Sequence, residues 1–107
     1  MDNKETTRLV DKIGTPALLE LMAEEAIELG HACQKAARVL RGENPSPNQD
    51  MAKLVSHISE EMADVYVTAA EVRKADIVDS KEVSEIIDFK RRRMNERLGM
   101  KAESFIF

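Results

Sequence analysis

Apolar residues recur at helical spacing along most of the chain. In one long run they occupy positions 18, 21, 22, 29, 32, 33, 36 and 40, and in the next they occupy 51, 54, 55, 58, 62, 65, 69 and 72. A period of three to four residues is typical of amphipathic helices. No alternating pattern of the kind that predicts a strand competes with it. The sequence therefore predicts an all-α chain.

Cap residues set the bounds of the predicted helices. A short helix runs from about Lys4 to Ile13 and ends at Gly14. The first long helix has Thr15 as its N-cap and Pro16 at its first position. It runs to about Arg41, where Gly42 stops it.

The next two helices are also marked by their ends. Asp50 is the predicted N-cap of the second long helix, at about Met51 to Lys74. Asp79 and Glu82 have the spacing of a capping box and open the third, which runs to about Leu98 before Gly99. The segment from 42 to 49 is predicted to be a loop, and the apolar tail at 105–107 is predicted to cover an apolar groove.

Three long helices and a short one, joined by short loops, predict an antiparallel helical bundle. The 107 residues suit one domain spanning 1–107. A domain of this size buries only part of its apolar surface, and three long helices leave one side of a bundle uncovered. We therefore expect oligomerisation to complete the bundle.

Composition narrows the classes of partner. The net charge is −4 and 34% of residues are charged, which argues against a nucleic-acid partner, since nucleic-acid binders are basic overall. No apolar run is long enough to span a membrane, so no membrane partner is expected. The single cysteine, Cys33, excludes an internal disulfide and fits a cytoplasmic location. It falls in the apolar run, so we predict a core residue and not a nucleophile.

Two pairs of acidic residues stand out by their spacing. Glu25 and Glu28 lie three residues apart on the first long helix, and Glu61 and Asp64 repeat this spacing on the second. Residues at i and i+3 share one face of a helix. Each pair can therefore converge on a point between two antiparallel helices.

The phase of these acids is more informative than their spacing. Glu25 and Glu61 occupy positions where the period calls for an apolar residue. Buried carboxylates are costly unless they are paired or bound to a cation, and oxygen ligands suit Mg²⁺ or Mn²⁺. The alternative is an ordinary solvated acidic face. From the pattern alone, both interpretations stay open.

The acid pairs also carry a resemblance to a known family. Glu24-Glu25-Ala26-Ile27-Glu28 followed by Glu61-Met62-Ala63-Asp64 resembles the E-x-x-E…E-x-x-D signature of the MazG-like all-α NTP pyrophosphohydrolases, over roughly 15–98. The resemblance implies that Glu25, Glu28, Glu61 and Asp64 bind Mg²⁺, with Mn²⁺ possible. It also implies a homodimer or homotetramer with the active site near the protomer interface.

The implied activity is hydrolysis of a nucleoside triphosphate to its monophosphate and pyrophosphate. A basic last helix is a further part of the resemblance, and Lys90-Arg91-Arg92-Arg93-Met94-Asn95-Glu96-Arg97 occupies that place here. The implied substrate contacts are Arg91 and Asn95, which lie four residues apart on one face, together with Lys90 and Arg97. A basic last turn that favours the helix dipole is the simpler alternative.

The sequence departs from phosphoribosyl-ATP pyrophosphohydrolases, which resemble it otherwise. Those enzymes usually have Tyr-His soon after the motif aspartate, whereas this chain continues Asp64-Val65-Tyr66-Val67. The missing histidine argues against that branch, and the scarcity of aromatic residues leaves the base unassigned.

Two other functions remain as alternatives. A Glu-x-x-His at Glu28 and His31 is typical of di-iron carboxylate bundles, but no second copy follows, since His57 precedes the acids of its own helix. A non-enzymatic helical interaction module is the other alternative.

Overall fold

The computed structural model describes residues 8–43 and 50–100, and within them the chain is helical with no strand. The helices are α1 (Val10–Ile13), α2 (Thr15–Arg41), α3 (Met51–Lys74) and α4 (Ser80–Leu98). The all-α prediction is confirmed for this part of the chain. The short helix begins at Val10, so its predicted extent over residues 8 and 9 is wrong. Its predicted part at 4–7, most of the predicted loop (44–49) and the apolar tail lie outside the described residues.

The predicted caps account for most of the helix ends. The side chain of Asp50 accepts a hydrogen bond from the Lys53 amide at 2.8 Å, and that of Asp79 accepts from the Glu82 amide at 3.0 Å. Gly42 and Gly99 close α2 and α4 in the left-handed conformation, which costs glycine little. Each cap satisfies backbone groups that a helix end leaves unpaired.

The predicted N-cap of α2 is wrong by one residue. Gly14 holds the cap position with φ 86°, α2 begins at Thr15, and no side chain caps it. The reason is local: Gly14 reverses the chain directly after α1, and Pro16 needs no amide partner in the first turn.

Two hydrogen bonds join the chain before α1 to the end of α3. The Leu9 amide donates to Glu71 Oε1 at 3.0 Å, and Arg8 Nη1 donates to the Lys74 carbonyl at 3.3 Å. The bond from Leu9, together with Lys74, lowers the pKa of Glu71 despite its partial burial. The start of α2 therefore lies beside the end of α3, and the two helices pack along their length.

The core lies in the seam between α2 and α3 and is thin. Its buried apolar residues are Leu18, Ala32, Ala36, Leu54 and Val72. Cys33, Leu40 and Met51 are exposed, so the prediction of Cys33 as a core residue is wrong. Cys33 follows the buried Ala32 at the edge of the stripe, on a side of α2 that no described helix covers.

The fourth helix stands apart from this seam. Among the described residues α4 makes only sparse contact with α2 and α3, and all residues from 80 to 90 are exposed. The radius of gyration is 18.0 Å, whereas a compact domain of about 100 residues has about 13 Å. No helix in the described part of the chain has the length and hydropathy needed to cross a bilayer.

Leu18 is the only apolar side chain among the described residues with no exposed surface. We expect Leu18→Ala to lower the free energy of unfolding by about 2 to 5 kcal/mol, because it leaves a cavity in the seam. Urea denaturation followed by circular dichroism measures this. Leu19→Ala is the control, since Leu19 is 44% exposed. Equal losses in the two variants would contradict the assignment of the core.

Candidate metal and substrate site

The two acid pairs lie on the helices that form the seam. Glu25 and Glu28 come from the middle of α2, and Glu61 and Asp64 come from the middle of α3. Glu61 lies within hydrogen-bonding range of Glu28, and the charge of Glu28 raises the pKa of Glu61. The charge of Asp64 likewise raises the pKa of Glu25. The packing of α2 on α3 therefore brings all four predicted acids into one electrostatic neighbourhood.

The four side chains differ in burial. Glu61 is 7% exposed, as its place in the apolar row predicts, whereas Glu28 is exposed and Glu25 and Asp64 are half-buried. Glu61 Oε1 and Glu25 Oε2 are both buried, and neither has a hydrogen-bond partner in the part of the chain that the structure describes. A buried carboxylate oxygen without a partner loses its hydration and gains nothing in return. This pair of oxygens is the main unsatisfied feature of the seam.

The electrostatics follow from this burial. Burial raises the pKa of Glu61, and a hydrogen bond with Glu28 and the charges of Glu28 and Asp64 raise it further. Burial also raises the pKa of Glu25, helped by the charges of Glu28, Asp64 and Glu24. Both groups therefore favour the protonated state more than an exposed glutamate does.

One cationic group lies near Glu61. His57 Nε2 is 3.9 Å from Glu61 Oε2, one turn earlier on α3, and its charge opposes the rise in the pKa of Glu61 only as the last contribution. The i,i+4 spacing is the sequence signal that would have predicted this contact. Because His57 is exposed, solvent screens its interaction with the cluster.

The chemistry of the cluster fits a hard divalent cation, but its geometry is not preassembled. Carboxylate oxygens are the ligands that Mg²⁺ and Mn²⁺ prefer, and two of them are buried without a partner. Within residues 8–43 and 50–100, however, no three His, Cys, Asp or Glu side chains converge closely enough to bind a metal ion. The side chains would have to rotate inward to bind one.

The neighbouring polar residues are placed less favourably for a metal. Glu24 and Glu60, which precede the predicted ligands, are exposed, and so is His31. The lack of three converging ligands in the described residues applies to the Glu28 and His31 pair as it does to the four acids. These positions suit a solvent-facing role.

The predicted substrate residues divide between two sides of α4. Asn95 is 4% exposed, and neither its Oδ1 nor its Nδ2 has a hydrogen-bond partner among the described residues. Arg91 is half-buried with its Nε unpartnered. Lys90 and Arg97 instead line an open cleft of about 420 Å³ with Arg93, Met94 and Leu98.

The structure therefore groups Arg91 with Asn95, and Lys90 with Arg97. Residues four apart share a face, which explains the first pair. Within residues 8–43 and 50–100, neither the Arg91 Nε nor the Asn95 amide forms a hydrogen bond, so these groups do not join α4 to the acids. They remain free to bind a ligand that supplies acceptors and donors.

The raised pKa of Glu61 has a consequence for stability. A carboxyl whose pKa is higher in the folded than in the unfolded state stabilises the fold at a pH below its ordinary pKa of 4.5. This stabilisation is lost as the pH rises through the folded-state pKa. We expect Glu61→Gln to melt above the parent protein at pH 7 without metal. The difference in melting temperature between the two proteins should disappear as the pH falls below the ordinary glutamate pKa of 4.5.

Thermal denaturation with circular dichroism, run across the pH range in EDTA, measures the effect. Glu60→Gln is the control, because Glu60 is exposed on the same turn. A Glu61→Gln variant that melts at or below the parent temperature at pH 7 would show that the ionised carboxylate has a stabilising partner.

Comparison with known proteins identifies no relative of the chain. No protein-family model, curated protein or solved structure matches the chain. The case for a function therefore depends on the acid cluster, the polar groups of α4 and the motif resemblance.

Proposed function

We propose that the chain is a Mg²⁺-dependent pyrophosphohydrolase that converts a nucleoside triphosphate to its monophosphate and pyrophosphate. One observation carries the proposal. Two carboxylate pairs with i,i+3 spacing meet across the α2–α3 seam, where Glu25 Oε2 and Glu61 Oε1 are buried without hydrogen-bond partners in the described chain. A cluster of this kind is costly in isolation and useful when a cation binds.

The acids would hold the cation and accept the proton. Glu25, Glu28, Glu61 and Asp64 supply the oxygen ligands. Bound Mg²⁺ would neutralise phosphate charge and lower the pKa of the attacking water. A neighbouring carboxylate would act as the general base. The water oxygen forms a bond to phosphorus, the bond between the α- and β-phosphates breaks, and pyrophosphate leaves.

The polar face of α4 would bind the triphosphate. Arg91 and Asn95 have buried donors without partners, and a guanidinium forms strong paired hydrogen bonds with phosphate oxygens. Lys90 and Arg97 add positive charge nearby on the same helix. This charge would offset the negative net charge of the chain where the substrate enters.

The proposed assembly is a cytoplasmic homodimer or homotetramer in which further copies complete an antiparallel bundle. The thin core and the exposed apolar residues of α3 and α4 support this. The same exposed surface favours a second candidate function, a helical interaction module without catalysis. The two functions differ in the role of the buried acids, which the enzyme needs for catalysis and the interaction module does not.

Pyrophosphate release separates the two functions. We expect the purified chain to release pyrophosphate from one or more nucleoside triphosphates when Mg²⁺ or Mn²⁺ is present and not in EDTA. Glu61→Gln should lower kcat at least about 100-fold, because even the residues that support metal ligands contribute about 10- to 100-fold. A coupled pyrophosphate assay across common, deoxy, oxidised and methylated triphosphates measures this.

Glu60→Gln is the matched control, because it removes an adjacent exposed carboxylate and should keep the parent rate. If the pure protein with either cation released no pyrophosphate from any triphosphate, the enzyme proposal would fail and the interaction module would stand.

The role of α4 is tested by Asn95→Ala. We expect KM for the triphosphate to rise about 10- to 100-fold, since hydrogen bonds to charged groups contribute about 1.5–3 kcal/mol. Folding stability should not fall, because the amide has no partner within the described residues. Arg92→Ala is the control, since Arg92 is exposed and its Nε donates to the Asp88 carbonyl of its own helix, at 3.4 Å. Loss of stability with an unchanged KM would make Asn95 a structural residue.

A further inference from the structure

One side of α4 carries only aliphatic and cationic side chains, with a serine at its edge. At about 100° per residue, they fall within an arc of roughly 140° around the helix axis. Every residue of the arc is exposed. The members are Val83, Ile86, Ile87, Lys90, Arg93, Met94, Arg97 and Leu98, with Ser80 at the edge. We call this surface the basic-apolar face of α4.

The acidic residues of α4 all lie outside this arc. They are Glu85, Asp88, Glu96 and, nearest to the arc, Glu82. In the described chain, none of Lys90, Arg93 and Arg97 forms a salt bridge with a carboxylate. The face therefore presents three positive charges without counter-charges, although the chain as a whole carries a net charge of −4.

The cleft on this face has a single wall. It has a volume of about 420 Å³, and its lining residues, Lys90, Arg93, Met94, Arg97 and Leu98, all come from α4. A pocket for a small ligand surrounds most of the ligand's surface, which one helix cannot do. The face instead suits a partner that is itself an extended surface.

Such a partner must be both apolar and anionic, since the face is aliphatic and positively charged. A second copy of the face is unsuitable, because it would set cations against cations. Single-stranded nucleic acid binds by stacking on aromatic rings, and the Phe89 ring, 5.7 Å from the Arg93 guanidinium carbon, lies outside the arc. An anionic lipid surface supplies both properties, because the apolar stems of lysine and arginine lie along the acyl region while their charged ends reach the headgroups.

We propose that the basic-apolar face binds the surface of an anionic lipid bilayer, with α4 lying in the plane of the interface. Its aliphatic side chains enter the boundary between headgroups and acyl chains, and its three cations contact the anionic headgroups. The expectation of no membrane partner concerned a helix that crosses the bilayer. Adsorption in the plane of the interface needs no such helix.

The basic-apolar face and the proposed triphosphate contacts use different sides of α4. Asn95 is buried and lies roughly 130° around the helix from the middle of the face. Arg91 is half-buried on the same side as Asn95. Lys90 and Arg97 belong to the face, so they act on an approaching triphosphate through their charge and not through contact. Lipid binding therefore does not require the hydrolase activity.

Co-sedimentation of the full chain with lipid vesicles tests the proposal. We expect binding to vesicles of phosphatidylserine and phosphatidylcholine in equal parts, and little binding to vesicles of phosphatidylcholine alone. Raising the salt concentration from about 0.1 M to about 1 M should weaken the binding, because the Debye length falls from about 10 Å to about 3 Å.

Matched variants assign the binding to this face. Arg93→Gln should lower the partition coefficient about fivefold, because a cation near an anionic surface contributes about 1 kcal/mol. Arg92→Gln is the control, since Arg92 is exposed on the opposite side of α4, and should bind nearly as the parent does. Leu98→Gln should weaken binding without a change of charge, because its exposed side chain no longer enters the apolar boundary. Circular dichroism checks that each variant stays helical.

Fluorescence measures the orientation of the helix on the vesicle. The chain contains no tryptophan, so Met94→Trp places a single probe on the basic-apolar face. Its emission should shift to shorter wavelength on the phosphatidylserine vesicles and be quenched by brominated acyl chains. Arg92→Trp places the probe on the opposite side of α4 and should keep an emission typical of water.

A chain that does not bind the phosphatidylserine vesicles, or that binds both kinds of vesicle equally, would overturn the proposal. Equal losses in Arg92→Gln and Arg93→Gln, or equal shifts of the two tryptophan probes, would also overturn it, because the binding would then come from another surface. Binding to polyglutamate and to no vesicle would replace the lipid surface with an acidic protein partner. None of these measurements involves a nucleotide, so this proposal and the proposed hydrolase activity fail independently.

Discussion

The structure depends on a seam that buries carboxylates among very few apolar residues. The contact between α2 and α3 encloses Leu18, Ala32, Ala36, Leu54 and Val72, and it also encloses Glu61 and one oxygen of Glu25. An apolar residue at either glutamate position would give a larger core and relieve the repulsion among the acids. The two glutamates thus lower the stability of the seam, and a bound cation there would restore it. This loss of stability at a place suited to a cation is the physical basis of the proposed function.

Much of the fold follows from local sequence, and each success has a local cause. Asp50 and Asp79 cap α3 and α4 through their own side chains, and Gly42 and Gly99 end helices where a left-handed residue is needed. These signals act over four residues or fewer, so the sequence contains them in full. The error at Thr15 arose because Gly14 and Pro16 together replace the side-chain cap that such a residue usually provides.

The remaining features depend on contacts between distant residues. Periodicity identified the apolar stripes, but it could not say which part of each stripe has a partner, so Cys33 was assigned to the core although it is exposed. The spacing of the acids placed them on shared faces. It could not predict that Glu61 is buried while Glu28 is exposed, because that depends on how α2 and α3 pack. The bond from the Leu9 amide to Glu71 joins residues 62 apart and has no signal in the sequence.

The separate edges of α4 connect the candidate site to the proposed assembly. The edge with Arg91 and Asn95 holds polar groups that lack partners within the described chain, and another side of the helix holds exposed apolar groups, among them Val83 and Ile87. Polar groups without partners are satisfied by a polar ligand, and apolar groups by another protein surface. A further copy of the chain packed against α4 would also reduce the freedom of Arg91 and Asn95 on the same helix. Self-association would then contribute to substrate binding without supplying any contact to the substrate, since ordering these side chains beforehand lowers the entropic cost of binding.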